Sequence, residues 1–594
     1  MHQNLQNLLF KFTNCNRYEI IEEIQSLWSG YGTISRYKLY GGSVDRVVIK
    51  HVKFPDVINH PKGWNSDLSH QRKLKSYEVE KNWYKNFVGE PNSLFRMPKC
   101  YGVENYNDEV FMVLEDLDYS GYDQRIVYPG WNDIVVCLKW LANFHGKYMG
   151  VNPKGLWKVG TYWNLETRPD ELKVLDDIEL KNNASKIDYL LNATSYKTLV
   201  HGDAKLANFC FSKNKEVAAV DFQYVGQGCG MKDLIYFMSS CFDEEDCSKY
   251  EFNVLEIYFN ELKLALSIHH PEIKINYLED EWRSMYYIAW ADFQRFIKGW
   301  SPLHFKINSY SEAVTQRVIN EMKNVLGKEE LEELQLLAEQ IARKAGILIQ
   351  KEKNKGFIVE HKLVGSSEAS KIVTKVDHIV ESYILKALSA SIEKFDLGIL
   401  TEEKPDNRSR FEKNYFWCID PLDGTLPFSE GKPGYSVSIS LVSKKGTPVL
   451  GVVYDPVKNN LYSAVRGLGA TKNGNKLLKS KDINSKFSLV IDRSFSASID
   501  KKIIIQQFRD KHKELVLKCL GGAVLNALWV IENQPSCYFK SIKKEVGGGS
   551  IWDFSATACI AIESGCKVSD SNGNDLNLNS KYSTFMNQVG VSFT

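Results

Sequence analysis

The sequence predicts a two-domain chain of mixed α/β and α+β class, divided between residues 326 and 327. Three observations carry that expectation. The chain has 594 residues, and single hydrophobic cores stop growing at roughly 250–300 residues. A new amphipathic helix starts just after Gly327. Each half also holds its own set of widely spaced acidic motifs.

The elements follow in order. TISRYKLYGGSVDRVVIKHV, residues 33–52, reads as two strands around Gly41-Gly42-Ser43, because both arms are rich in β-branched and aromatic residues. SYEVEKNWYKNFV has helical spacing. FMVLEDL, residues 111–117, is a short apolar strand ending in acidic residues. Trp131 to His145 reads as an amphipathic helix. From about Val200 short strands and tight turns alternate, and the chain is then helical to about Asn324. After Gly327, residues Leu331, Leu334, Leu337, Ile341, Ala345 and Leu348 share one helical face. Acidic residues crowd the first turns of that helix and basic residues the last, which suits the helix dipole. The rest alternates helices and strands, with turns at KNGNK and DSNGN.

Composition narrows the function classes. Hydrophobic content of 43% and charged content of 25% are those of an ordinary globular protein. With 75 basic and 73 acidic side chains the net charge is +2. That balance leaves no footprint for nucleic acid and no polybasic membrane patch. The 12 cysteines include no C-x-x-C pair and fit reduced, mostly buried thiols. No run approaches the roughly 18 apolar residues of a membrane helix. The first twenty residues lack a signal-peptide pattern, so the expected location is cytoplasmic.

The first constellation is His201-Gly202-Asp203-Ala-Lys-Leu-Ala-Asn208, followed after 12 residues by Asp221-Phe222-Gln223. Moving a phosphoryl group to a hydroxyl needs a carboxylate beside the attacking oxygen and hard oxygen ligands for magnesium. A loop with an Asp and, five residues on, an Asn can supply both. The strand VAAVDFQ then delivers a second Asp.

HGDAKLANF…VDFQ resembles the aminoglycoside-phosphotransferase and choline-kinase-like group, relatives of protein kinases. GCGMKDLIYFMSS and YYIAWADFQRFIKGWSPLHFKIN resemble its ecdysteroid-kinase-like branch. The resemblance covers about residues 30–320 and implies a bilobal protein-kinase-like fold that uses ATP and Mg2+. It implies that Asp203 is the catalytic base and that Asn208 and Asp221 hold magnesium. Lys50, in the strand VVIK, would reach the ATP phosphates, and Glu80 would pair with it, with Glu78 as the near alternative. LEDL, with Glu115 and Leu117, would be the hinge against adenine. His201 would brace the loop. Gly30-Tyr-Gly32 reads equally well as ordinary turn glycines. Trp290, Asp292, Arg295 and Trp300 are candidates for the acceptor side, and helix packing explains them about as well.

The second constellation is Asp420-Pro421-Leu422-Asp423-Gly424-Thr425, with Glu402-Glu403 upstream and Trp552-Asp553 far downstream. Four carboxylates brought together from separate elements repel one another unless divalent cations neutralise them. Such cations can polarise a phosphate ester and activate water, and a turn at Pro421–Gly424 would let both aspartates and the Leu422 carbonyl face one point.

IVTKVDHIVESYI, TEE, DPLDGT, GVVYDP, GLGATKNG and IWDFSATACIAIESG, in that order, resemble the inositol-monophosphatase superfamily, which includes bisphosphate nucleotidases. The resemblance covers about residues 329–594 and implies a layered α/β sandwich. It implies that Glu402, Asp420, Asp423 and Asp553 are Mg2+ ligands, helped by the Leu422 carbonyl. Thr425 with Asp377 would activate the attacking water, with no phospho-enzyme. Glu403 reads as a supporting or surface residue. The sequence departs from the family at Thr401, at Thr374-Lys-Val-Asp377 and at Leu426-Pro427-Phe428, which touches the substrate more than the reaction. Small-molecule alcohol and phosphate-ester substrates are expected, and a homodimer through the second half.

Overall fold

The computed structural model describes residues 2–27, 30–53, 67–90, 92–107, 109–355, 359–361, 372–480, 486–492, 495, 501–512, 514–544 and 549–594. It separates into two compact units, Met1–Lys323 and Asn324–Thr594.

The first unit opens with α1 (His2–Thr13) and a sheet of β1 (Arg17–Ser26), β2 (Gly32–Tyr40), β3 (Arg46–Lys53), β4 (Cys100–Tyr106) and β5 (Glu109–Glu115). The strand order is β1-β2-β3-β5-β4, antiparallel throughout. Strand alternation sends Val47 and Ile49 to the face where Leu5, Leu8 and Leu9 of α1 pack. Lys50 then points to the opposite face, where α2 (Asp67–Asn86) presents Glu80. Helical spacing buries Tyr77, Glu80, Trp83 and Tyr84 of α2 together.

The rest of this unit is mainly helical: α3 (Trp131–Lys147), α4 (Pro169–Lys173), α5 (Ile178–Asn192), α6 (Met231–Cys241), α7 (Glu244–His269), α8 (Ile275–Trp300) and α9 (Ser309–Met322). Between α5 and α6 lie four short strands, β6 (Thr198–Val200), β7 (Phe209–Phe211), β8 (Val217–Ala219) and β9 (Gly226–Gly228). They pair as β6 with β9 and β7 with β8. These pairs hold the HGDAKLAN loop and Asp221 side by side.

The second unit begins with α10 (Lys328–Lys355) and a short hairpin of β10 (Val359–His361) and β11 (Ile372–Thr374). Its main sheet runs β12 (Gly398–Thr401), β13 (Tyr415–Asp423), β14 (Ser436–Ser443), β15 (Pro448–Asp455), β16 (Asn460–Val465), β17 (Gly469–Lys472) and β18 (Asn475–Leu477), in that spatial order. A second sheet holds β19 (Phe487–Val490), β20 (Leu515–Lys518), β21 (Ser536–Lys540), β22 (Val568–Ser569) and β23 (Val591–Phe593), ordered β20-β19-β21-β23-β22.

Layering follows from alternation along β15. Gly451 admits the helix Ile551–Glu563, since a Cβ there would lie 2.3 Å from the Ala556 carbonyl. Tyr454, on the opposite face, receives Gly346 of α10. The helices Ala523–Glu532 and Ile551–Glu563 fill the space between the two sheets with Ala527, Leu528, Phe554 and Ile560. Leu489 and Cys537 turn to the outer face of the second sheet and pack against Ile505 of the helix Lys501–Lys511. The result is a five-layer α/β sandwich.

Two local readings of the sequence shift. On α10 the expected Leu331, Leu334, Ile341 and Ala345 are buried, Ala338, Ala342, Gly346 and Ile349 join them, and Leu337 and Leu348 are only half-buried. The close approach at Gly346 widens the buried face on that side. The DPLDGT segment is not a free turn: Asp420 and Asp423 both belong to β13, with a bulge between their pairings to Ser438 and Ser436. Pro421 has no N–H to donate, so a bulge is the natural accommodation. No helix among the described residues is long and apolar enough to cross a membrane.

Candidate active sites

In the first unit Lys50 Nζ lies 2.7 Å from Glu80 Oε2 and 3.8 Å from Asp221 Oδ1. Glu78 instead faces outward and pairs with Lys75 at 3.0 Å. Burial opposes the Lys50 charge, but Glu80 and Asp221 outweigh it and hold the lysine pKa up. Burial also works against ionised Asp221, and Lys50, Lys205 and Lys73 overcome it to lower its pKa. Asp221 has φ +69°, a left-handed conformation that Asp tolerates better than most residues. Among the described residues its buried Oδ1 has no hydrogen-bond partner.

The Asp203 carboxylate accepts from Lys205 Nζ at 3.0 Å and from Asn208 Nδ2 at 3.1 Å. Asn208 Nδ2 also donates to the Asp203 carbonyl at 2.7 Å. With its amide nitrogen committed this way, Asn208 could offer Oδ1 to a cation. Burial raises the Asp203 pKa, with Lys205 as the main opposing influence. An orphaned carboxylate oxygen, an amide oxygen and a second carboxylate form an all-oxygen donor set that fits magnesium.

Asp233, near the start of α6, braces this loop, and the sequence reading had missed it. It accepts from the backbone N–H groups of His201 and Gly202 and from His145 Nε2 at 3.1 Å. Its signal was an acid at the third position of the helix after Gly228-Cys229-Gly230. Gly202 has φ +80°, and a Cβ there would lie 2.2 Å from the Tyr224 carbonyl. His201 Nε2 lies 3.1 Å from the Val220 carbonyl. Lys73 is a second unanticipated neighbour; burial takes its pKa down to about 8.

At the LEDL segment the Glu115 carboxylate accepts from Arg96, from the Lys99 N–H at 2.9 Å and from Ser120 Oγ at 2.6 Å. The Leu117 carbonyl accepts from the Tyr122 N–H at 2.8 Å. Asp292 and Arg295 pair at 2.8 Å, fully buried, and both also bond to Trp163. These bonds hold α8 to the loop before α4, while among the described residues Arg295 Nη1 has no hydrogen-bond partner.

In the second unit Asp420, Asp423 and Asp553 each bring a carboxylate oxygen within 4.8 Å of the others. Different elements position them. Asp420 accepts from the Leu422 N–H at 3.0 Å, across the bulge. Asp423 accepts from the Ala523 and Val524 N–H groups at 3.0 and 3.1 Å, at a helix N-terminus that favours negative charge. Asp553 accepts from the Ser550 N–H at 2.7 Å within a capping box.

Burial, then Glu402, Asp423 and Asp553, push Asp420 well above the usual carboxylate range. Burial and Asp553 push Asp423 up to about 8. Burial raises Asp553 too, with Lys540 opposing. Glu402 lies outside the tight trio, yet its charge acts on both Asp420 and Asp553. Buried carboxylates that raise one another so strongly fit a cation between them.

Thr425 Oγ1 is 3.3 Å from Asp377 Oδ1 and 3.1 Å from the Leu422 carbonyl. Its single proton can serve only one of them fully. If the Leu422 carbonyl turned to a cation, that proton would go to Asp377. The Glu403 N–H donates to Glu381 at 3.1 Å, and Glu403 is half-buried. Lys540, also unanticipated, pairs with Asp492 at 3.3 Å beside Asp553.

An inositol monophosphatase family model matches residues 330–590, and an ecdysteroid kinase-like family model matches residues 166–270. Nus factor SuhB of Pasteurella multocida is 31% identical over 242 residues, 40% of this chain and 85% of that protein. Inositol monophosphatase 2 of Solanum lycopersicum is 31% identical over 260 residues, 42% of this chain and 92% of that protein. The crystal structure of extragenic suppressor protein suhB from Bartonella henselae covers 44% of this chain and 93% of its own. It is 24% identical, with a TM-score of 0.36.

Proposed function

The chain belongs, through its second unit, to the inositol monophosphatase family, and from that premise we propose that it is a bifunctional enzyme. Its second unit hydrolyses a small phosphomonoester with magnesium. Its first unit, of bilobal kinase-like fold, phosphorylates a small-molecule hydroxyl with ATP and magnesium. The observation that carries the hydrolase reading is the convergence of Asp420, Asp423 and Asp553, the first two buried and the third half-buried.

In the hydrolase, Glu402, Asp420, Asp423, Asp553 and the Leu422 carbonyl would hold the metal. Magnesium, when bound, polarises a phosphate ester and lowers the pKa of water. Asp377 orients the Thr425 hydroxyl so that its oxygen can accept from water and its proton rests on the carboxylate. In the kinase, Asp203 would receive the proton of the acceptor hydroxyl, Asn208 and Asp221 would hold the metal, and Lys50 would face the phosphates. Glu115 and Leu117 would lie along the adenine side. A homodimer through the second unit belongs to the same reading.

Two opposed activities on one hydroxyl would only consume ATP. The kinase product must therefore differ from the hydrolase substrate, as when a phosphate serves as a handle between early and late steps. The full chain with magnesium is expected to release inorganic phosphate from members of a phosphomonoester panel, and EDTA to abolish the release. Phosphate release that survives EDTA would refute the metal site.

A further inference from the structure

A cavity of about 390 Å3 lies in the first unit, walled by Phe242, Trp290 and Phe305 and lined as well by Ser239 and Lys306. Phe305 is 75% exposed, and Leu303, two residues before it, is fully exposed. Apolar surface is therefore left open at this cavity.

Lys306 is the unusual member. Its side chain is buried, yet no carboxylate reaches ion-pair distance of it among the described residues. It donates to Ser239 Oγ at 3.1 Å and lies over the rings of Tyr236 and Phe293, at 4.4 and 5.4 Å. Ser239 gives its own proton to the Tyr236 carbonyl at 2.8 Å. One oxygen and two ring faces are little for a buried ammonium, which is ordinarily paired. Burial takes its pKa down to about 8, and Asp203 is the main influence opposing that. The backbone here is fixed, since the Lys306 carbonyl accepts from Gln294 at 3.0 Å and Ser311 at 3.1 Å.

Tyr236 joins this lysine to the loop. Its ring lies beneath Lys306, and burial, then Tyr162 and Asp203, raise the pKa of its hydroxyl. We propose that the cavity receives the alcohol to be phosphorylated and that Lys306 binds a carboxylate on it, making the first unit a hydroxy-acid kinase. The inference deepens the kinase reading of the Asp203 site and rests on it. Asp243, Glu244 and Glu245 also line the cavity. Asp243 caps α7 through the Asp246 N–H at 2.9 Å, and Glu244 holds Ser309. Their charge disfavours polyanions, so a single carboxylate on an apolar body suits the site.

The test uses the full chain and three matched probe pairs: glycerate and glycerol, 4-hydroxybutyrate and 1,4-butanediol, 4-(hydroxymethyl)benzoate and 1,4-benzenedimethanol. Ligand-observed NMR reads affinity, and product analysis with ATP and magnesium reads transfer. The acid of at least one pair should bind about tenfold more tightly than its neutral partner, a difference of about 1.4 kcal/mol. Lys306→Gln should erase that preference and Lys306→Arg retain it, with thermal unfolding checking each fold. Phe305→Ala, on an exposed side chain, should weaken both members alike. Equal affinities throughout, a preference surviving Lys306→Gln, or binding indifferent to Phe305→Ala would overturn the proposal. Lys306-dependent binding of acids with no phosphoryl transfer to any probe would count against the kinase reading instead. Transfer to the neutral alcohols alone would leave that reading intact and sink the carboxylate site.

Discussion

Lys50 and Glu80 meet 2.7 Å apart in a buried setting where neither charge would persist alone. Lys50→Met is expected to destabilise the first unit by about 3–5 kcal/mol by stranding the Glu80 carboxylate. Adding Glu80→Gln should recover most of that loss, while ATP-dependent phosphorylation stays abolished. Denaturant unfolding and transfer assays on the single and double variants check both halves; recovery of activity with stability would contradict a role at the phosphates. Asp203, Asn208 and Asp221 were legible because their spacing is fixed along the chain. Asp233 carried only the weak signal of an acid in the first turn of α6, and Lys306 and Lys540 were not legible, since nothing local marks them. Their meaning comes from what tertiary packing sets opposite them: two backbone amides, an open cavity and a neighbouring carboxylate.

Among the elements, α10 shows how far periodicity reaches. Its helical face was readable, but the seam through Ala338, Ala342 and Gly346 depends on Tyr454, about a hundred residues away. A Cβ on Gly346 would lie 2.4 Å from the Tyr454 ring, which is held by its hydroxyl bond to Asn459 at 2.8 Å. Gly346→Leu is expected to cost about 1–3 kcal/mol through overpacking. Calorimetry checks it, and an unchanged melting temperature would show that the layers are less closely packed. The bulge in β13 is the other element-level lesson. The sequence reads as a turn at Pro421–Gly424, and the pairing with β14 shows a bulge within a strand instead. That bulge brings both aspartates to the same site.

For the whole molecule, the carboxylate trio links metal, pH and stability. Folding raises the pKa of Asp420 and takes Asp423 up to about 8. Between the unfolded and folded values the native state holds protons that the unfolded chain has released, so stability falls as pH rises through that window. In EDTA, the second unit is expected to unfold at a lower temperature at about pH 8 than at about pH 5.5, and excess magnesium to remove most of the difference. Calorimetry showing greater metal-free stability at the higher pH would contradict this. The division of labour between the units stands or falls more directly on one reciprocal experiment. Full-length Asp203→Asn and Asp420→Asn proteins are each assayed for phosphoryl transfer from ATP and for phosphate release. Asp203→Asn is expected to lose transfer and keep release, and Asp420→Asn to do the reverse. Loss of both activities in either folded variant would contradict two separate active sites in one chain.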